Sequence, residues 1–209
     1  MMPIYREIRL FDDTEISLGF IWQKLYERLH KALVPLKDEK GSVPVGFTFP
    51  RYGGEFPLGD HLRVFAPDEA TLEKLALDDA LADLADYIKI SEIRKTPDEH
   101  GHVIFRRVQI KTNPLRLAKR YAKRHGVSYE EALAHYESFD PKEQIQKNKL
   151  PFFNFHSTST GQKMRIFIAK ETVEHQKEGK FTTFGLSKCP QHGTTASFDS
   201  SKCATLPDF

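Results

Sequence analysis

The chain has 209 residues, of which 39% are hydrophobic and 29% charged, and its 31 Lys/Arg against 29 Asp/Glu give a net charge of +2. That is room for one large domain or two small ones. No apolar run approaches the ~18 residues of a membrane span, and Met1-Met2-Pro3-Ile4-Tyr5-Arg6-Glu7 lacks the apolar core of a signal peptide. We therefore expect a cytoplasmic protein with no membrane contact, and two cysteines, Cys189 and Cys203, are too few for a disulfide framework.

In chain order, Pro3 to Phe11 reads as a strand with Ile4, Ile8 and Leu10 on one face. A helix follows from about Glu15 to Val34, with Leu18, Ile21, Trp22, Leu25, Leu29 and Leu33 as its apolar stripe. Val43, Val45, Phe47 and Phe49 alternate as a half-buried strand stopped by Pro50. Leu58 to Phe65 is a third strand, Pro67-Asp68-Glu69 opens a helix running through Leu77, and Tyr87 to Arg94 is a fourth strand. The order β-α-β-β-α-β is the split ferredoxin-like (RRM-like) pattern, placing one domain at 1–97 before the polar break Lys95 to His102. A smaller domain, 98–209, opens with a strand from Val103 to Lys111 and a helix at 114–125. Ser128-Tyr129-Glu130-Glu131 is a capping box, and strands are expected near Pro151–His156, Lys163–Ala169 and Lys180–Phe184. From about Ser187 or Lys188 onward the chain reads as a polar, loosely structured tail. The predicted class is α+β.

The charge is unevenly placed. Gly101 to Ser128 holds eight Lys/Arg and no carboxylate; removing those eight from the 31 leaves 23 basic against 29 acidic residues, a net of −6 elsewhere. An acidic bulk with one basic segment marks a polyanion-binding element. Asn113 is a suitable N-cap, Pro114 a first helical residue and Gly126 a residue past the end. On that helix Arg116, Lys119, Arg120, Lys123 and Arg124 fall within an arc of roughly 140°. A solvated face would mix signs at i,i+4; here nothing offsets the repulsion, which points to nucleic-acid phosphates. On the strand leading in, Arg107 and Gln109 are two apart, and Arg and Gln are the residue types that read guanine and adenine.

Among nine histidines, His30 sits near the end of the first helix, at the edge of its apolar stripe, where an imidazole titrates near neutral pH. His156-Ser157-Thr158-Ser159-Thr160-Gly161-Gln162 is a run of short hydroxyl side chains ending in glycine, a turn able to cradle a phosphate or ribose. Cys189, His192 and Cys203 follow no recognised zinc spacing. No phosphate-binding loop or dinucleotide fingerprint is present. We expect no cofactor and no metal.

Four segments together resemble the type I-F CRISPR repeat-processing endoribonucleases, which excise guide RNAs from a precursor transcript. They are Lys24 to Val34, Arg107 to Pro114 with the basic helix, Ser157 to Gln162, and Phe184-Gly185-Leu186-Ser187, in the family's order. The resemblance implies that the basic helix lies in the major groove of the repeat's stem-loop and that Arg107 and Gln109 read base pairs at its foot. It implies that His30 acts on the 2′-hydroxyl of the nucleotide below the stem and that Ser157 positions that ribose, with Ser159 and Thr160 in the RNA-binding turn. Cleavage would need no metal and would leave a 2′,3′-cyclic phosphate. Partners would be the repeat RNA, as precursor and as mature guide, and the other subunits of a type I-F surveillance complex. Two positions depart from the family pattern: Phe184 replaces a frequent tyrosine, and Met164 replaces an aromatic under the stem. His156 is then a second candidate for proton transfer. The rival readings are a non-catalytic subunit that caps an RNA hairpin, and a duplex-DNA module, against which the missing helix-turn-helix partner argues.

Overall fold

The computed structural model describes residues 2–110, 113–143, 149–157, 161–189 and 199–209. They form two compact units, Met1–Val108 with Pro151–Phe209, and Gln109–Leu150. The architecture is α+β, with antiparallel sheets and few helices.

In the larger unit, β1 (Ile4–Leu10) pairs antiparallel with β3 (His61–Ala66) and with β4 (Ile88–Ile90), while β2 (Gly46–Thr48) lines the far side of β3. The order across the sheet is β2-β3-β1-β4, with the two-residue β5 (Arg94–Lys95) also pairing β1. The long helix α1 (Leu18–Leu33) buries Ile21, Trp22, Leu25, Tyr26, Leu29 and Leu33 at the three- and four-residue spacing of one helix face. Between β3 and β4, α2 (Glu69–Leu75) is capped by the Asp68 side chain and followed by α3 (Leu77–Ala80).

A second sheet, in the order β7-β8-β6-β9, uses β6 (Gly101–Val108), β7 (Phe152–His156), β8 (Lys163–Val173) and β9 (Leu206–Asp208). Its inward residues Val103, Phe105, Phe153, Phe155, Ile166 and Ile168 share one hydrophobic core with α1 and the first sheet. The Tyr26 ring stacks on Phe153 at 3.6 Å, tying α1 to β7. The Tyr26 hydroxyl is buried with no hydrogen-bond partner among the described residues, and burial pushes its pKa well above the usual phenol value. Tyr26→Phe should therefore raise stability by about 1 kcal/mol, since it removes a desolvated polar group and no bond. A lower denaturant midpoint in the variant would mean that the hydroxyl is satisfied.

Three expectations are corrected. The segment Val43–Phe49 is a strand only over Gly46–Thr48, and it is buried on both faces instead of half-buried. A Cβ on Gly46 would lie 2.7 Å from Leu206 and 2.8 Å from Phe181, so the C-terminal residues cover the face that alternation assigns to water. The expected strand Lys180–Phe184 reduces to bridges from Phe181 to Val43 and Ser187, because the chain turns sharply at Thr182–Gly185. Nor are the described residues of the tail loose. Leu206 is buried, β9 extends the second sheet on β6, and Cys189 and Cys203 form a disulfide with Cα atoms 4.7 Å apart.

The smaller unit is a helical pair. Its α4 (Pro114–His125) has the expected ends: the Asn113 side chain accepts from the Arg116 N–H, Pro114 is the first residue, and Gly126 closes the helix at φ +68°. Its α5 (Tyr129–Ala134) starts with both hydrogen bonds of the Ser128–Glu131 capping box. Ala118 and Ala132 are fully buried, and the Tyr121 ring stacks on both His125 and His135.

Candidate active site

His30 follows the buried Leu29 on the last turn of α1 and is half-buried. Its Nδ1 lies 3.0 Å from the Thr183 carbonyl oxygen. The ring stacks on Phe184 at 4.6 Å and 20° and meets the Phe155 ring edge-on at 5.1 Å. Burial lowers its pKa below the ordinary histidine value, the Thr183 bond raises it and Lys37 lowers it, with a net decrease. The net effect favours the uncharged imidazole.

Phe184 is the shared wall of this site. Its ring also lies 5.7 Å from the Arg107 guanidinium, and Arg107 Nη2 is 3.8 Å from the Met164 sulfur. Arg107 is on β6, Phe155 on β7 and His30 on α1, so three elements converge on one aromatic ring, and Met164 of β8 joins them through Arg107. The Arg107 Nε is buried with no hydrogen-bond partner among the described residues, and burial lowers the pKa of its guanidinium. A desolvated N–H without an acceptor costs ~1–3 kcal/mol or more. Gln109 does not share a strand face with Arg107: β6 ends at Val108, and Gln109 is exposed in the smaller unit.

Ser157 sits just past the end of β7, two residues beyond Phe155. Its N–H donates to the Gln162 carbonyl at 2.9 Å, and its own carbonyl accepts from the Gly161 N–H at 2.8 Å, closing the turn to β8. Ser159 and Thr160 lie outside the described residues. His156 is exposed beside Ser157. The structure therefore brings His30, Phe184, Arg107 and Met164 together, with Ser157 in the same unit.

Two participants escaped the sequence reading. Phe155 was legible only as an apolar residue alternating with Phe153 in a short strand. A main-chain carbonyl such as that of Thr183 has no side-chain signature at all.

In the smaller unit, Arg116, Lys119, Arg120, Lys123 and Arg124 are all exposed on α4, and none makes an ion pair among the described residues. Only Ala118 of that helix is buried, and Leu115 is 53% exposed. The apolar side that the spacing predicted is thus only partly covered. Five unopposed cations on a short helix form a surface suited to a polyanion.

The chain thus presents a half-buried imidazole among aromatic rings in one unit and five exposed cations on a helix of the other. Residues 5–209 match the family described as CRISPR-associated protein (Cas_Csy4), and the chain belongs to that family. It is 34% identical over 189 residues to the CRISPR-associated endonuclease Cas6/Csy4 of Pseudomonas aeruginosa (strain UCBPP-PA14), covering 90% of this chain and 96% of that protein. It is 30% identical over 187 residues to the protein of the same name from Escherichia coli (strain UTI89 / UPEC), covering 89% and 96%. No helix among the described residues is long and apolar enough to cross a membrane.

Proposed function

We propose that the protein is an endoribonuclease that cuts CRISPR repeat hairpins in precursor RNA, without a metal, and keeps hold of the product hairpin. The observation that carries this reading is the setting of His30, a half-buried imidazole whose pKa is lowered by burial and whose ring is fixed between Phe184 and Phe155. His30 removes the proton from the 2′-hydroxyl of the nucleotide below the stem, and Ser157 positions that ribose. The 2′-oxygen attacks its own phosphorus, and the P–O5′ bond breaks. The 5′-oxygen leaves as an alcohol on taking up a proton from solvent water, His30 later returns its proton to solvent, and a 2′,3′-cyclic phosphate remains. An internal nucleophile held in line needs orientation and proton transfer, which a protein supplies through side chains alone.

Binding is divided in this reading. Arg116, Lys119, Arg120, Lys123 and Arg124 neutralise phosphates of the stem. Arg107 reads a base at its foot, since the O6 and N7 edge of guanine offers acceptors that suit a half-buried guanidinium; Gln109, Ser159 and Thr160 add contacts. Met164 and Phe184 provide the apolar floor. The 1–97 part takes a ferredoxin-like role, supported by the β2-β3-β1-β4 order, and 98–209 carries most of the RNA-binding residues. The protein works in the cytoplasm, with other subunits of a type I-F surveillance complex as partners.

The test is a labelled stem-loop repeat incubated with the protein in EDTA. The expected result is a cut that leaves a cyclic phosphate, while a substrate with 2′-deoxyribose at the cut site binds and stays whole. Cleavage of the deoxy substrate would sink the 2′-hydroxyl mechanism. Tight binding of the all-ribose substrate without any cut would favour a non-catalytic hairpin-capping subunit.

A further inference from the structure

We infer that the turn Thr182–Gly185 is a positioning device for His30. Its Thr183 carbonyl fixes the imidazole in the tautomer protonated at Nδ1, leaving the Nε2 lone pair to take the 2′-hydroxyl proton. This rests on His30 being the base of the proposed reaction. A carbonyl oxygen only accepts, so the 3.0 Å contact requires the hydrogen on Nδ1. A neutral ring carries one such hydrogen, so Nε2 is the basic nitrogen.

The turn that carries this carbonyl is held mainly by main-chain hydrogen bonds. The Thr182 N–H donates to the Leu186 carbonyl and the Gly185 N–H to the Thr182 carbonyl, each at 2.8 Å. The Phe184 N–H donates to Thr182 Oγ1 at 3.3 Å. The turn is pinned to the core because the Phe47 N–H of β2 donates to the Gly185 carbonyl at 2.7 Å. Gly185 has φ +67°, and a Cβ there would sit 2.2 Å from the Phe47 ring, so only glycine allows this approach. The ring plane of His30 is set independently, by stacking on Phe184 and by the Phe155 edge. Lys37 acts on this imidazole electrostatically and Arg107 lies across the Phe184 ring; neither offers an acceptor that would draw the proton to Nε2. Phe184 has no hydroxyl to orient the base, and the main chain beside it takes that task.

The experiment uses the full chain labelled with nitrogen-15 in histidine. Two-bond proton–nitrogen spectra near neutral pH, with His30 assigned by its loss in His30→Ala, should show the Nδ1–H tautomer; an Nε2–H tautomer or an even mixture overturns the inference. Phenyllactic acid in place of Phe184 makes the Thr183 carbonyl an ester, a poorer acceptor. Thr182→Val loses the same Phe184 N–H bond but leaves the carbonyl intact. Outer partners of metal-bound imidazoles are worth ~10–100-fold in activity, and a loss on that scale is expected here. The ester should lower kcat by about that factor with KM unchanged, and by clearly more than Thr182→Val does; an equal loss in the two would assign the effect to the Phe184 N–H bond and overturn the inference. An ester protein with wild-type tautomer and kcat also overturns the inference. If the Nδ1–H tautomer is seen but His30→Ala cuts at the wild-type rate, the positioning stands and the catalytic reading falls.

Discussion

The His30→Ala variant is expected to lose cleavage by ~10²–10⁴-fold, the usual worth of a positioned general base, while binding the repeat hairpin as the wild type does. The split follows from where the residue sits. His30 is held by Phe184, Phe155 and the Thr183 carbonyl, whereas the cations assigned to gripping are on α4. Gel-based cleavage under single-turnover conditions, with filter binding alongside, measures both quantities. In the wild type the rate should fall as pH drops through the His30 pKa, because protonation removes the base. Since burial lowers that pKa, the fall should come below the ordinary histidine range of about 6.5. The linkage to stability has the same direction. The unfolded chain takes up the proton more readily than the folded one, so this residue's contribution is present above the unfolded value and lost as pH falls. Retained cleavage in His30→Ala together with loss in His156→Ala would move the proton transfer to the exposed neighbour of Ser157.

Reversing two charges on the basic helix, Arg120→Glu with Arg124→Glu, should weaken hairpin binding by orders of magnitude. It should also flatten the dependence of log Kd on log salt, because fewer counterions are released. Both side chains are exposed and unpaired among the described residues. The Asn113 cap and the Gly126 terminus that define α4 are untouched, so circular dichroism should be unchanged. Titrations at two salt concentrations are the measurement. Affinity and slope that both survive the reversal would remove α4 from the interface.

What could be read from the sequence was what local chemistry decides. The bounds of α4 follow from Asn113, Pro114 and Gly126, and the start of α5 from Ser128 and Glu131, because caps act within one turn of chain. The apolar stripe of α1 was legible for the same reason, though Tyr26 was missed within it. What escaped depends on distant partners. Val43–Phe49 alternates as if one face met water, but Phe181 and Leu206 cover that face. Arg107 stands out in the sequence by its residue type and its spacing from Gln109. Its neighbours Phe184 and Met164 come from β8 and a late turn that no window around residue 107 contains. The polar composition of the tail hid a strand that exists only because β6 offers an edge.

That last strand bears on how the chain folds during synthesis. Val103 pairs with Leu206, and Arg63 donates to the Phe209 carbonyl while its guanidinium rests over the Phe209 ring. Phe209 also meets Tyr5 and Phe65 edge-on. The first strand emerges from the ribosome long before the residues that complete its packing, and the β6 edge stands open until β9 arrives. Pairing across such a separation is slow, because the loop must close before the contact rewards it. Until then the unpaired edge at Gly101–Val103 leaves a nascent chain open to pairing with the wrong strand.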